Sequence, residues 1–474
     1  MRIVENVEVS HTEAEELGSA RIVLSPGTLP SFWDRNVVFI ANLLGLFFGN
    51  EEQSQLLAKE VGEVDSYGGR LVPILNLLYR GKGRNALILE CEPDASLCRY
   101  HEEVAGLSLP DRQVLSHRDY LDMGREFAEG TASRHPFLES ISGGGASWMD
   151  GYVTDNTLEH IAAGSGKKTI STGPGSLHGN NKRELHLFLE QAGLPTVATE
   201  LADSPAELHG SLERIREQGF QSGVIKSAMG ASGIGLIKVD SLEDTSAVAA
   251  TVPEHFFFEG PCLVQGWLCP GEQGVSRVRS PSAQLFLDDK SVVIYDLTEQ
   301  ILSQSSVHEG NESPPPYLAD HPEWKAELLR QAGLAGRWLH EQGYRGTGSV
   351  DFLLVECENG EVDVYVCEIN ARVTGATYPS VLARHFLPEG SWLLRNLRFE
   401  TPLPGEDLLA LLEKSGDLFV PGRSETGVLP VNFNRGRDGL VHKGQFLCVA
   451  HSTAGSHVLL ELAELDLPCV PDRD

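Results

Sequence analysis

Two apolar runs joined by a tight turn constrain this chain more than any other segment. The run SVDFLLV begins at Ser349, and the run DVYVCEI begins at Asp363. The connecting ECENGE contains the pair Asn359-Gly360, which favours a tight hairpin turn. The sequence therefore predicts two antiparallel strands in a buried sheet.

Polar residues interrupt this apolar hairpin at positions that can converge. Because strand side chains alternate between faces, Glu368 and Asn370 point the same way, and Asp351 lies on the partner strand. Oxygen ligands of this kind suit magnesium, which usually also takes oxygens from substrate phosphates. A carboxylate among apolar residues is costly without a cation. The alternative is that the two carboxylates form ion pairs with Arg372 and Arg345.

A lysine followed by glycines suggests a phosphate site. Lys226 precedes the run SAMGASGIG, in which Gly230, Gly233 and Gly235 would let backbone amides approach phosphate oxygens. Ser232 offers a further hydrogen bond, and Lys226 offers positive charge. A flexible hairpin connection is equally compatible with this run.

The segment GPGSLHGNNKRELHLFLEQAGLPT, from Gly173, is expected to be a loop followed by a helix over 182–192. Its apolar residues recur at helical spacing on one face, namely Leu185, Phe188, Leu189 and Ala192. Gly193 is placed to cap the helix. A cation at the start of a helix, such as Lys182, favours an anion site. A solvated helix lysine is the alternative.

The remaining segments indicate several domains. Apolar runs starting at Arg21, Asn85 and Thr169, with a helix from Glu51, alternate in the manner of a parallel α/β layer. Residues 223–300 are expected to form a β-rich subdomain. The run from Leu302 to Tyr317 is expected to be a long polar loop. A helix is expected over about 323–342, with Leu328, Ala332, Ala335 and Leu339 on one stripe. Glycine, proline and short strands from about 400 suggest a small C-terminal domain.

Composition excludes several classes of function. The formal net charge of −29 disfavours nucleic acid and anionic membranes as partners. No apolar run approaches the roughly 18 residues of a membrane span, and the N-terminus does not resemble a signal peptide. The eight cysteines include no C-x-x-C pair, which argues against zinc and for reduced thiols. A cytoplasmic protein is expected.

The order of these elements resembles the ATP-grasp ligase superfamily over roughly residues 170–390. The most specific piece is the E-x-N-x-R run at Glu368, Asn370 and Arg372, after the strand that carries Asp351. The resemblance implies an α/β (α+β ATP-grasp) fold. The implied domains are a Rossmann-like pre-ATP-grasp domain over 1–175, an ATP-grasp domain over 176–400 with a nucleotide-clamping β subdomain at about 195–270, and a small C-terminal domain over 401–474.

The resemblance also implies roles for individual residues. The implied ATP-binding residues are Lys182, Lys226, Gly230, Ser232, Gly233, Gly235, an adenine hinge at Gln265, Gly266, Trp267 and Leu268, and a ribose-binding acid at Glu272. The hinge begins with Gln265, where many relatives have glutamate. The implied metal ligands are Asp351, Glu368 and Asn370; the catalytic residues are Arg372, Glu368 and Arg279; and the substrate-side residues are Glu299, Thr374 and Gly375.

The implied reaction uses ATP and Mg²⁺ to activate a carboxylic acid as an acyl phosphate. An amine or peptide acceptor then forms an amide, and ADP and phosphate leave. The whole arrangement most resembles the peptide ligases of pheganomycin-type antibiotic biosynthesis. The alternatives are a single amino-acid ligase, another ATP-grasp ligase or carboxylase, and a non-catalytic ATP-binding module. A homodimer is compatible with this resemblance.

Overall fold

The computed structural model describes residues 20–61, 67–81, 83, 85–130, 145–231, 233–302 and 308–470. Its strands are β1 (Arg21–Leu24), β2 (Val37–Ile40), β3 (Ala86–Leu89), β4 (Asp111–Val114), β5 (Trp148–Gly151), β6 (Lys168–Thr169), β7 (Thr199–Ala202), β8 (Gly223–Ala231), β9 (Ile234–Val239), β10 (Cys262–Gly266), β11 (Val275–Arg279), β12 (Pro281–Leu287), β13 (Ser291–Leu302), β14 (His308–Ser313), β15 (Gly346–Cys357), β16 (Val362–Asn370), β17 (Ser391–Leu403), β18 (Gly427–Arg435) and β19 (Val441–Ala450).

The α-helices are α1 (Glu51–Val61), α2 (Leu75–Leu78), α3 (Ala95–Arg99), α4 (His117–Ala128), α5 (Asn156–Gly164), α6 (Gly173–Gly179), α7 (Lys182–Gln191), α8 (Pro205–Glu217), α9 (Thr245–Ala249), α10 (Pro322–Glu341), α11 (Thr377–Phe386), α12 (Gly405–Ser415) and α13 (Thr453–Asp466). Short 3₁₀ segments lie at Leu43–Phe47, Tyr67–Leu71, Glu254–Phe257 and Pro316–Ala319, and a π-helical turn at Tyr100–Val104. In the described part of the chain, no helix is long and apolar enough to cross a membrane.

An all-parallel sheet near the N-terminus confirms the predicted α/β layer. Its strand order is β4-β3-β2-β5-β6, and every neighbouring pair is parallel. The strand at Arg21–Leu24 forms as expected but belongs elsewhere, since it pairs in parallel with β13. Ile22 packs against Gly333 of α10, and this contact places β1 at the central sheet.

The expected β-rich stretch over 223–300 divides between two sheets. Strands β8, β9 and β10 join β7 in a four-stranded antiparallel sheet of order β7-β10-β8-β9. Strands β11, β12 and β13 belong to a ten-stranded sheet whose main order is β11-β15-β12-β13-β14-β17-β19-β18, with β1 on β13 and β16 on β15. The predicted hairpin is therefore confirmed as β15 and β16, at one end of the larger sheet.

Helix α10 covers this central sheet as the sequence predicts. Leu328, Ala332, Ala335 and Leu339 have no exposed area and pack with apolar residues of β12, β13 and β15. Helix α7 also forms, and Gly193 ends it at φ +65°. Its apolar face differs from the expected one because Ala192 is exposed, whereas His186 is buried with Leu185 and Leu189.

Three expectations about irregular segments are wrong. The GPGSLHG run is the helix α6, because the hydroxyl of Thr172 accepts from the Gly175 amide and caps it. The polar run after Leu302 contains β14, which pairs with β13 and β17 and so lies inside the sheet. The strands after residue 400 are not short, and β18 and β19 extend the central sheet beyond β17.

Candidate active site

The β15–β16 hairpin brings three predicted metal ligands together. Strand register pairs Asp351 with Glu368 and Ser349 with Asn370, so these side chains share one face of the sheet. The Asn370 Nδ2 donates to an oxygen of Asp351 at 2.9 Å. A bulge between the Asp351 and Phe352 pairs gives β16 an extra residue, which shifts the alternation next to Glu368.

Asp351 is held by hydroxyls and an amide. The Ser282 hydroxyl donates to it at 2.6 Å, and the Ser349 hydroxyl at 3.2 Å. Burial, together with the charge of Glu368, raises the pKa of Asp351 to about 6. A divalent cation beside both carboxylates would relieve this cost.

Glu368 pairs with Lys182 across the cleft. The Lys182 Nζ lies 2.9 Å from the Glu368 Oε1 and also donates to the carbonyl of Gly230 at 3.3 Å. Burial would raise the pKa of Glu368, but the charges of Lys182 and Arg372 outweigh it and hold that pKa below its ordinary value. Asn181 caps α7 by accepting from two backbone amides, and this fixes the lysine at the first turn of the helix.

Within the described residues, the hairpin carboxylates do not form the alternative ion pairs with Arg345 and Arg372. Arg345 donates to the carbonyls of His340 and Tyr344. Arg372 donates to the side-chain oxygen of Asn180, while its charge lowers the pKa of both hairpin carboxylates. Arg372 therefore lies near both acids and keeps a neutral hydrogen-bond partner.

A cleft separates the four-stranded sheet from the hairpin. Its lining comprises Lys182, Leu185, His186, Leu189, Thr196, Val197, Lys226, Leu263, Gln265, Leu353, Tyr365, Val366 and Cys367. Two cations beside apolar side chains such as Leu185, Leu263 and Val366 suit a ligand with an anionic end and a flat apolar end. The Nζ of Lys226 lies 4.0 Å from the Sγ of Cys367, at the bulged part of β16.

The glycine-rich run is mostly strand. Gly230 ends β8 with Ala231, and the turn to β9 is short. Gly233 and Gly235 adopt φ +81°, a conformation that favours glycine. A Cβ at Gly235 would also clash with the hydroxyl of Ser227. The predicted contact of Ser232 lies outside the described residues.

The proposed adenine hinge is brought to the cleft only in part. Gln265 lines the cleft, where its side-chain nitrogen donates to Thr199 at 2.8 Å. The amides of Gly266 and Trp267 donate to carbonyls of the four-stranded sheet region. Leu268 follows the end of β10, and Glu272 accepts from the Ser222 hydroxyl at 3.1 Å.

The remaining predicted residues form two other groups. Arg279 pairs with Glu356 at 2.6 Å and lies 4.1 Å from the ring centre of Tyr317. The Tyr317 hydroxyl donates to Glu299 at 2.6 Å, and burial raises the pKa of Glu299 to about 7. Thr374 donates to Gln284 at 3.3 Å. Gly375 lies in the turn before α11.

Several residues at this site carry no distinctive motif. Asn180 orients Arg372, Ser282 bonds to Asp351, and Leu353 and Val366 form apolar cleft wall. The apolar alternation of the hairpin signals a buried strand, but it does not reveal a bulge. These positions were therefore not identified as site residues.

The donor set fits magnesium by its chemistry. In the described part of the chain, no three or more His, Cys, Asp and Glu side chains are grouped to hold a metal ion. Asp351, Glu368 and Asn370 instead offer two carboxylates and one amide oxygen, and magnesium commonly takes only one or two protein carboxylates with other oxygens supplied by phosphates.

No protein-family model matches the chain. A curated protein from Niallia circulans, the [butirosin acyl-carrier protein]--L-glutamate ligase, is 28% identical over 200 residues. This match covers 42% of the chain and 44% of that protein, so it spans less than half of the relative's length.

Solved structures match over nearly the whole chain. Biotin carboxylase from Campylobacter jejuni, in a β,γ-ATP complex, has a TM-score of 0.56 and 15% identity, covering 92% of each chain. The biotin carboxylase domain of the Hydrogenobacter thermophilus 2-oxoglutarate carboxylase, solved with MgADP and bicarbonate, has a TM-score of 0.54 and 13% identity, covering 92% of this chain and 91% of that one. An ADP complex of N5-carboxyaminoimidazole ribonucleotide synthetase has a TM-score of 0.52 and 11% identity, covering 92% and 97%. These likenesses show that the chain has the fold of these ATP-dependent carboxylases and synthetases.

Proposed function

We propose that the protein is an ATP-dependent carboxylate–amine ligase that forms an amide through an acyl phosphate. The observation that carries this proposal is the 2.9 Å contact between Lys182 and Glu368, beside Asp351 and Asn370, at a cleft that also holds Lys226. Cations for phosphate and oxygen ligands for a metal thus meet in one place.

In this proposal, ATP lies in the cleft with its base against the apolar wall and its phosphates at Lys182 and Lys226. Asp351, Glu368 and Asn370 would hold magnesium, which when bound offsets the negative charge of the phosphates. Lys182 already lies next to Glu368, so it is placed to contact the same phosphate oxygens. Positioned charge of this kind supplies most of the rate enhancement in phosphoryl transfer.

Arg372 would hold the carboxylate that attacks the γ-phosphorus. Asn180 fixes its guanidinium, and the two hairpin carboxylates lie within reach of its charge. The attack by the carboxylate breaks the bond between the γ-phosphorus and the β-phosphate oxygen and releases ADP. An amine then attacks the carbonyl carbon of the acyl phosphate, which releases phosphate and leaves an amide. Thr374 and Gly375 follow Arg372 in the chain and would line the substrate side.

The comparisons support the nucleotide, the metal and the class of substrate in this proposal. The fold neighbours were solved with ATP, ADP or MgADP, which supports a nucleotide and magnesium in this cleft. The Niallia circulans protein is a ligase for L-glutamate, which supports an amino acid as one substrate. The finer proposal is a peptide ligase of peptide natural-product biosynthesis that activates an amino-acid-like acid and uses a peptide amine.

A carboxylase is the second candidate, because two of the neighbours are biotin carboxylases and one was solved with bicarbonate. The test is ADP release by the purified protein with MgATP and panels of amino acids, short peptides and bicarbonate, with mass spectrometry of the products. A ligase gives ADP together with a new amide and needs no bicarbonate. ADP release that requires bicarbonate would favour the carboxylase, and ATP binding without turnover on any panel would favour a non-catalytic module.

A further inference from the structure

Two rows of polar side chains cross one face of the C-terminal strands. Strands β17, β19 and β18 are neighbours in that order, and cross-strand partners point to the same face. The first row is Arg398, Lys443 and Asn434, and the second is Asn396, Gln445 and Asn432. The rows are two residues apart along each strand, so all six side chains share that face.

A buried arginine from the N-terminal region completes this face. Arg70 is 8% exposed, and its NH1 donates to the Tyr378 hydroxyl at 3.0 Å. The same hydroxyl accepts from the Gln445 Nε2 at 3.4 Å. We call Arg70, Arg398, Lys443, Asn434 and Gln445 the cationic crevice.

The segment that carries Arg70 passes the carboxyl ends of two parallel strands of the N-terminal sheet. Gly68, two residues before Arg70, packs so closely on Ala41 and Leu89 that a Cβ there would clash with both. Ala41 follows the end of β2, and Leu89 ends β3. The space outside the carboxyl ends of parallel strands is the common ligand position in such sheets.

Two cations of the crevice, Lys443 and Arg398, form no ion pair with a described residue. The whole chain nevertheless carries a net charge of −29. Burial, followed by the charges of Arg70 and Arg398, lowers the pKa of Lys443 to about 8. A half-buried ammonium without an ionic partner is unfavourable, and a bound anion beside Lys443 would relieve this cost.

Two buried amides of the crevice also lack partners within the described chain. Asn434 is 3% exposed, and its Oδ1 accepts from Asn432, but its Nδ2 donates to no group. Gln445 is 1% exposed, and its Oε1 accepts from no donor. Buried polar groups without hydrogen bonds cost free energy. A ligand with an anionic oxygen could accept from the Asn434 Nδ2, and a neighbouring N–H or O–H of the ligand could donate to the Gln445 Oε1.

We propose that the cationic crevice binds a carboxylate or phosphate group of one of the two substrates, away from the reacting carboxylate. Tyr378, which bridges Arg70 and Gln445, lies in the first turn of α11, so the crevice is linked to the segment that follows Arg372 and Thr374. The assignment of the anion to a ligase substrate rests on the function proposed above. The binding of an anion by the crevice is independent of that function.

Anion binding is tested first without any ligase substrate. The full chain, with ADP and magnesium present, is titrated calorimetrically with inorganic phosphate, with N-acetylglycine and with its uncharged amide. We expect phosphate or N-acetylglycine to bind, the amide not to bind, and Lys443→Met to weaken binding about tenfold or more. Lys443→Arg should retain binding, and the exposed control Lys414→Met should match the wild type. Absence of binding, or equal binding by Lys443→Met, would overturn the crevice assignment.

The second measurement uses the substrates found in the ligase screen. Lys443→Met should raise the KM of the anionic substrate about tenfold or more, with the KM of ATP unchanged. When the substrate's carboxylate is capped as an amide, or its phosphate is removed, the KM values of the wild type and Lys443→Met should become equal. The modification that has this effect identifies the anion. If Lys443→Met weakens anion binding but the protein ligates no substrate, the proposed function is wrong and the crevice assignment stands. If the protein ligates substrates equally well with and without Lys443→Met, only the crevice assignment is wrong.

Discussion

The ammonium of Lys182, at the first turn of α7, lies 2.9 Å from the carboxylate of Glu368 on β16. The two residues are far apart in the chain, and both are largely shielded from solvent, with 13% and 25% of their side-chain areas exposed. Each of the two charges neutralises the other. A metal and a phosphate would each replace one partner, so the contact holds both groups ready for the proposed reaction.

Replacement of Glu368 by glutamine should remove most activity while the fold persists. Glutamine has nearly the same shape as glutamate but lacks the negative charge that we propose binds magnesium. We therefore expect the rate of ADP release to fall by several orders of magnitude. Steady-state ADP release, with circular dichroism as a check on folding, measures this. Glu358→Gln, an exposed change near the turn of the same hairpin, is the matched control and should retain full rate. Near-normal turnover by Glu368→Gln would remove the metal assignment.

Replacement of Lys226 by methionine should weaken nucleotide binding. The side chain lines the cleft and carries one of its two cations, so its loss removes charge facing the phosphates. We expect the Kd of a fluorescent ATP analogue to rise about tenfold or more, and the salt dependence of binding to fall. Lys325→Met, on the exposed side of α10, should leave the Kd unchanged. An unaltered Kd for Lys226→Met would place the phosphates elsewhere.

Glu299 should make stability depend on pH near neutrality. Its pKa is raised from 4.5 to about 7, first by burial, so the folded state binds the proton more tightly than the unfolded chain. The corresponding stability is fully present below pH 4.5 and is lost as pH rises through about 7. Glu299→Gln cannot titrate, so it should gain on the order of 2 kcal/mol relative to wild type between pH 5 and pH 8.5. Urea unfolding at both pH values measures the difference, and a pH-independent difference would contradict the assigned environment.

The buried pair of Arg384 and Asp296 should be a major contributor to the stability of the central sheet. Both side chains are at most 3% exposed, and Asp296 also accepts from Trp392 and Ser313. Removing one partner leaves a buried charge unpaired, so Arg384→Met should cost about 3–5 kcal/mol in the free energy of unfolding.

The control for that change is the exposed pair of Arg330 with Glu327 on α10, in which the arginine side chain is 51% exposed. Arg330→Met should cost less than about 1 kcal/mol, because exposed ion pairs contribute little. Equal losses in urea unfolding for the two variants would show that burial does not govern the Arg384 contribution.

Local sequence patterns were sufficient to predict the parallel N-terminal layer, the hairpin and the long helix. Each has a signal carried by neighbouring residues, such as the Asn359-Gly360 turn or the stripe from Leu328 to Leu339. These signals come from periodic burial and turn geometry, which depend little on distant contacts. The residues proposed for metal and phosphate were named for the same reason.

Other features were decided by partners distant in the chain. Segment 308–313 forms a strand because β13 and β17 flank it, and β1 leaves the N-terminal sheet because β13 offers its edge. The Lys182–Glu368 contact and the cationic crevice likewise join residues that no local pattern relates.

The sequence by itself thus determined the helices and strands with strong periodic patterns and the side chains that could carry the chemistry, since periodicity and residue type are local properties. The tertiary structure alone decided which charges meet, because burial and pairing depend on how the sheets close on one another. Lys443 shows the difference: in sequence it is one lysine on a strand, and in the fold it faces Arg70 and Arg398 with its pKa lowered to about 8.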